Sequence, residues 1–198
     1  MTITPPTAAE IWFIRHFRTP WNAEGRLQGR RDIALDDPLG ANDTATLATN
    51  RAALEGVRFA AVYTSPLERV RQTAALHGFP DAMPDPDLAE LDFGPWEGRL
   101  WSELHAAHPG AWHSAPQTLP LGESFEAFRQ RTARVHLRLL TAPGPVLVFG
   151  HGAWFGCLQS LLAGGDGSDL AGRACANGVL TRITPLPRPL AALAPDTA

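Results

Sequence analysis

The chain of 198 residues contains no lysine, and all 17 of its permanent cations are arginine. Schiff-base catalysis and the phosphate-cradling P-loop both need a lysine ammonium, so neither is available to it. Cysteine is almost as scarce. Cys157 and Cys175 are too few for a disulfide framework and do not form a metal-ligand spacing. Reduced thiols, a cytoplasmic setting and no bound metal are therefore expected. Cys157 sits in the apolar run Ala153–Leu158, which predicts a buried small thiol rather than a nucleophile. No apolar run approaches the roughly 18–20 residues needed to span a bilayer. Met1–Glu10 has neither the basic nor the apolar stretch of a secretory leader, so none is expected. Positive charge is not in excess either: a net charge of −3 and a pI of about 6.1 argue against a nucleic-acid module driven by a basic surface.

What the chain does have is enough apolar material, 44% of residues against 19% charged, to bury a core of its own. Its length fits one domain over 1–198, with a core at about 9–184 and a loosely ordered tail at 185–198. Short apolar runs bounded by breakers predict buried strands at 11–14, 59–63 and 146–149, with a fourth at 178–183. Between them, helical patterns cover 43–54 (closed by Glu55-Gly56), 66–76, 123–140 and 153–162. Strand–helix alternation of this kind predicts an α/β fold, three-layer α/β/α, with a central, largely parallel sheet. Ligands of such sheets sit beyond the carboxyl ends of the strands.

Those ends carry the chemistry. Arg15-His16 follows the first run, Thr64-Ser65-Pro66-Leu67-Glu68-Arg69 the second, and Gly150-His151-Gly152 the third. Any one of these residues alone would be read as structural, but together they suit one reaction. Two guanidiniums offer forked donors to phosphate oxygens and stay charged. One neutral imidazole can act as a nucleophile and a second can donate to an equatorial oxygen. Phosphoryl transfer needs mainly positioning and charge stabilisation, with no requirement for a metal or other cofactor.

Five segments in order then resemble the histidine phosphatase (phosphoglycerate mutase-like) superfamily, covering roughly Ile11 to Gly152. Arg15-His16-Phe17-Arg18-Thr19-Pro20-Trp21-Asn22 is similar to R-H-G-x-T-x-x-N, and the likeness runs on through Gly25-Arg26-Leu27-Gln28-Gly29. Ser65–Ala74 resembles S-x-L-x-R-A-x-Q-T-A, and Leu88–Gly98 resembles L-x-E-x-x-F-G-x-W-E-G. Gly122-Glu123-Ser124 and Val148–Gly152 match the last two motifs. The resemblance implies a phosphoglycerate mutase-like fold, with His16 attacking phosphorus to become phosphohistidine. It implies Arg15, Arg69 and His151 as holders of the phosphoryl oxygens, with Asn22 a further contact. Glu90 becomes the general acid and later the base, a role that neighbouring Phe93 and Trp96 would favour by raising its pKa. Gln28 and Gly29 are expected at the pocket rim, Gly152 beside the phosphate, and Arg18 as a cation able to read a second anion. Glu97 is read as structural.

Phe17 stands where the family pattern has glycine. Either its φ is negative or its ring narrows the pocket, and the first costs less. Phe93-Gly94-Pro95-Trp96-Glu97-Gly98 resembles the phosphatase form of the family rather than the mutase form H-Y-G-x-L-x-G. The expected activity is hydrolysis of a small phosphorylated metabolite by an acid phosphatase-type phosphomonoesterase, metal-independent, in a monomer or homodimer that binds neither nucleic acid nor membrane. A phosphoglycerate mutase and a non-catalytic phospholigand-binding module are the competing readings. The segment between Glu90 and Gly122 is expected as a lid. Its Trp96, Trp101 and Trp112 either roof a small core or face the site, and in the second case the substrate has an apolar or aromatic body.

Overall fold

The computed structural model describes residues 10–183. The expectations for the segment before Glu10 and for the tail at 185–198 lie outside those residues. Within them, β1 (Ile11–Arg15), β2 (Ala61–Thr64), β3 (Met83–Pro84), β4 (Val146–Gly150) and β5 (Leu180–Ile183) form one sheet in the order β3-β2-β4-β1-β5. All neighbours run parallel except β5, which pairs antiparallel with β1. The helices are α1 (Pro20–Ala23), α2 (Ala41–Leu54), α3 (Glu68–Leu76), α4 (Trp101–Ala107), α5 (Ala111–Ser114), α6 (Phe125–Leu140) and α7 (Gly152–Leu162). None of the described helices is long and apolar enough to cross a membrane.

The central strands are unbroken apolar runs because both of their faces are covered. Along β1 the side chains alternate between two cores. Ile11 and Phe13 join Val146, Val148 and the residues of α6 and α7, while Trp12 and Ile14 join Leu147, Phe149 and residues of α2 and α3. Phe13 stacks on Phe155 of α7 with ring centroids 4.2 Å apart. The result is the three-layer α/β/α arrangement. α6 starts where Ser124 caps it, its side chain accepting the Ala127 N–H at 3.2 Å.

Strand register decides where the chemistry emerges. Arg15 lies opposite Gly150, and Thr64 lies opposite Phe149, so β1, β2 and β4 end in one row. The His16 N–H donates to the Gly150 carbonyl at 3.0 Å and the Ser65 N–H to the Phe149 carbonyl at 3.1 Å. His16, Ser65 and His151 therefore leave the sheet side by side.

Two elements depart from the expectations. β3 was absent from the sequence pattern, since Met83-Pro84 lies in a proline-rich stretch; it fits the sheet only as an edge, where a proline without an N–H is tolerated. The lid segment contains the short helices α4 and α5, which carry no long apolar period.

His77, closing α3, and His136, on α6, are buried away from the cleft. Burial lowers both below the ordinary 6.5, and both ring nitrogens of His136 lack a hydrogen-bond partner among the described residues. The unfolded chain thus takes up protons before the folded one, so stability is fully present above about pH 6.5 and falls as the pH drops below it. Urea midpoints should be flat from pH 8 to 7 and decline below 6.5. His136→Leu should lessen that decline and add about 1 kcal/mol at pH 7.5, since it removes two buried polar atoms without partners. An unchanged decline in the variant would contradict this account.

Candidate active site

His16 is 2% exposed, yet it lines a cleft of about 170 Å³ at the carboxyl ends of the strands. Its Nδ1 lies 2.6 Å from the Phe17 carbonyl oxygen. A carbonyl only accepts, so Nδ1 carries the proton and Nε2 keeps the free lone pair. Burial, then the nearby Arg69 and Arg15 charges, hold the ring well below its usual pKa, and the Phe17 hydrogen bond only partly opposes them. A neutral imidazole of fixed tautomer results. Its backbone is pinned from a distant part of the chain: the Asn177 side chain donates to the His16 carbonyl at 3.0 Å, and the Gly178 N–H to the Arg15 carbonyl at 3.0 Å.

Two guanidiniums flank this ring. Arg69 is 1% exposed and is held by the chain at 29–31, Nη2 donating to the Gly29 carbonyl at 2.7 Å and Nη1 to the Arg31 carbonyl at 2.8 Å. Burial pulls its pKa down to about 10, which leaves it charged at neutral pH. Arg15 donates from Nη1 to the Cys175 carbonyl at 2.6 Å. The Nε atoms of both arginines are buried without a partner among the described residues. Arg15 lies so close to the start of α7 that a Cβ on Gly152 would come within 2.9 Å of its Cζ, so a larger residue there would push this guanidinium aside.

His151 lies directly behind, its ring 5.4 Å from that of His16, and does not itself line the cleft. Its Nδ1 accepts from Arg69 Nη2 at 3.3 Å, so Nε2 bears the proton and donates to Ser65 Oγ at 2.8 Å. Burial and Arg69 keep this ring, too, well below its ordinary pKa.

Glu90 faces the cleft from the opposite side. Its oxygens accept backbone N–H groups: Oε1 from Leu91 and Trp154, each at 3.0 Å, and Oε2 from Ala153 at 3.1 Å. This corrects half of the expected aromatic setting: Phe93 lines the same cleft, but Trp96 does not, and the carboxylate is seated on the first turn of α7. The segment bearing Glu90 is clamped by the buried Arg131 of α6. That guanidinium donates to the carbonyls of Asp87 (3.0 Å), Ala89 (2.5 Å) and Glu90 (2.9 Å). It also pairs with Glu123 at 2.7 Å. Burial pushes the Glu123 carboxyl up, but Arg131, the Asp92 N–H and Arg30 together hold it below its usual pKa.

The cleft thus brings together Arg15, His16, Arg69, Glu90, Asn22, Gln28, Gly29 and Gly152. Thr19 orders the rim by donating from its hydroxyl to Gln28 Oε1 at 3.0 Å and from its N–H to Asn22 Oδ1 at 3.1 Å. Arg18 is not among the lining residues. It is exposed on the outer side, just before Thr19 caps α1. Glu97 braces the 29–31 turn by accepting the Arg30 N–H at 2.7 Å. Sequence reasoning missed Ser65, Arg131 and Arg26, although the first and last lie inside the quoted motifs. Phe17 resolves in favour of ordinary backbone: among the described residues no residue other than glycine has positive φ. Its ring, 0% exposed, turns away from the cleft and stacks on His77 at 5.3 Å, with no space for a Cβ on Gly178 beside it. Cys157 is fully buried and pushed up to about 12, in keeping with an inert thiol.

A parallel-sheet fold of the phosphoglycerate mutase type, with an arginine–histidine cleft at its strand ends, defines a class of phosphoryl-handling enzymes. The model of the histidine phosphatase superfamily (branch 1) matches residues 11–190, and the chain belongs to that family. Its relatives include both phosphatases and mutases. It is 32% identical over 168 residues to "Probable phosphoglycerate mutase GpmB" of Serratia proteamaculans, covering 78% of this chain and 75% of that one. Against the adenosylcobalamin/alpha-ribazole phosphatase of Escherichia coli it is 34% identical over 140 residues, covering 65% and 66% of the two chains. The crystal structure of phosphoglycerate mutase from Thermus thermophilus superposes with a TM-score of 0.69 at 31% identity, over 88% of this chain and 92% of that one.

Two outcomes follow from the geometry. In a histidine NMR titration, the rings of His16 and His151 should both show midpoints shifted down from the ordinary 6.5; a midpoint at or above 6.5 for either would contradict their surroundings. Phe17→Gly should cost about 3–5 kcal/mol in urea unfolding, because the ring fills space behind the cleft. A loss under about 1 kcal/mol would show that the site collapses around the missing ring.

Proposed function

We propose that the protein is a metal-independent phosphomonoester hydrolase that works through a phosphohistidine on His16, in the cytoplasm. The observation that carries this reading is the fixed tautomer of His16, whose ring shares the cleft with two guanidiniums held by main-chain carbonyls. A phosphoryl group in the cleft would meet two fixed positive charges beside a free imidazole lone pair. Nε2 attacks phosphorus as the bond to the leaving oxygen breaks, and Glu90 gives that oxygen its proton. Oε2 accepts only one N–H in the structure, which leaves a lone pair to carry the proton. The resulting carboxylate then takes a proton from water, which attacks phosphorus and expels Nε2. Asn22, Gln28 and the Gly29 and Gly152 backbone border the phosphoryl group. His151 acts through Arg69, its Nδ1 accepting from the Nη2 of that guanidinium. Because His16 stays neutral below its ordinary pKa, the nucleophile remains available in mild acid, as the acid phosphatase subclass requires.

The test is turnover of p-nitrophenyl phosphate in EDTA, with an acid-labile, alkali-stable phosphoenzyme trapped by rapid quench. His16→Ala should abolish both. Glu90→Gln should slow alkyl esters by about 10²–10⁴-fold and p-nitrophenyl phosphate far less, since that leaving group needs little protonation. Wild-type rates in His16→Ala would remove the nucleophile assignment. Transfer between 3- and 2-phosphoglycerate, dependent on a bisphosphorylated primer, would replace hydrolase with mutase.

A further inference from the structure

The lining of the cleft is of two kinds. Besides the arginines and His16 it includes Phe93, Trp101 and Trp112, with Leu170 and Ala171. The three rings brace one another. Trp101 and Trp112 lie 5.0 Å apart at 61°, and Phe93 is 5.6 Å from Trp101 and 5.5 Å from Trp112. Phe93 and Trp112 are also rooted in the main core, so this face is set before any ligand arrives. Trp101 is tied to the rim: its N–H donates to the Gly25 carbonyl at 3.0 Å, beside the antiparallel pairing of Arg26 with Leu100. Of the three lid tryptophans, Trp101 and Trp112 both pack with the core and line the cleft, whereas Trp96 lies in the core without lining it.

Charge is distributed just as unevenly. Arg15 and Arg69 belong to the phosphoryl side. The third lining cation, Arg26, is engaged through Nε with the Glu24 carboxylate at 2.5 Å and through Nη1 with the Gly98 carbonyl at 2.8 Å. Arg18 is exposed outside. Among the described residues lining the cleft, no unpaired cation is left for the aromatic part. A carboxylate or second phosphate placed against these rings would lose its hydration without gaining a counter-charge.

Resting on the hydrolase reading above, we propose that the alcohol half of the substrate is an uncharged apolar or aromatic group that lies against Trp101 and Trp112, making these two residues the determinants of specificity. The phosphoryl group anchors on the arginines, and the rings bury the leaving group's apolar body at low entropic cost because they are already braced. Esters whose alcohol half bears a carboxylate, such as phosphoglycerate, are disfavoured by the missing counter-charge rather than by size.

The test compares kcat/KM for 2-phenylethyl phosphate, ethyl phosphate and 3-phosphoglycerate. All are esters of primary alcohols, so intrinsic leaving ability differs little among them. The phenylethyl ester should exceed the ethyl ester by about tenfold or more, with 3-phosphoglycerate below both. Trp101→Leu and Trp112→Ala should each lower the phenylethyl-to-ethyl ratio by about tenfold, chiefly through KM, with folding checked by thermal melting. Trp112→Phe keeps an aromatic in the core and should restore part of the ratio, which covers the case in which Trp112→Ala does not fold. Equal kcat/KM for the phenylethyl and ethyl esters, a preference for 3-phosphoglycerate, or an unchanged ratio in Trp101→Leu would overturn the aromatic subsite and leave the hydrolase reading standing. If the wild type turned over none of the three, or His16→Ala turned them over at wild-type rates, the hydrolase reading itself would fall, and the subsite with it.

Discussion

A single hydrogen bond, from His16 Nδ1–H to the carbonyl of the next residue, decides which nitrogen of the ring is free. That carbonyl points the right way because Phe17 is anchored at both of its ends. Its N–H donates to Thr73 Oγ1 at 3.1 Å, and its side chain is stacked on His77. Thr73 in turn donates to the Arg69 carbonyl at 2.7 Å, so the helix that presents one cleft-lining guanidinium also steadies the turn bearing the imidazole. The residue that departs most from the family pattern is thereby a structural support of the cleft's central ring.

A second brace holds the opposite side. Arg131 satisfies three carbonyls of the 87–90 segment while its charge is offset by Glu123, the residue just before the cap of α6. A buried arginine that lost this partner would be an uncompensated charge in the core. The helix, its cap and the loop carrying Glu90 are thus one mechanical unit. Because α7 supplies the amides that receive the Glu90 carboxylate, the strand-end turn at His151-Gly152 couples the two sides of the cleft.

How much of this was legible follows from the range of the interactions involved. Ile11–Ile14 and Val146–Phe149 could be read as strands because burial on both faces leaves a local signature. Met83-Pro84 could not, since an edge of two residues depends on its neighbour. The gathering of Arg15, His16, Arg69 and His151 was readable because each follows a strand, and parallel strands end together. Arg131 was not, since it reads as one more arginine on a helix until the chain 41–44 residues upstream is seen to lie over it. Arg18 misled for the opposite reason: adjacency in sequence suggested the cleft, but the extended Thr19 that starts α1 turns its neighbour outward. The surroundings of Glu90 were misjudged because nearby aromatics in the sequence carry no information about backbone amides supplied 63 residues later.

The anchoring of Arg15 and Arg69 by main-chain carbonyls means that their donors are in position whether or not an ester is present. A receptor of that kind cannot tell the oxygens of a transferring group from those of free orthophosphate. In the proposed hydrolase, the end product would therefore compete for the same seat. Where bond cleavage is fast, the pace of such a cycle is governed by how readily the inorganic ion departs.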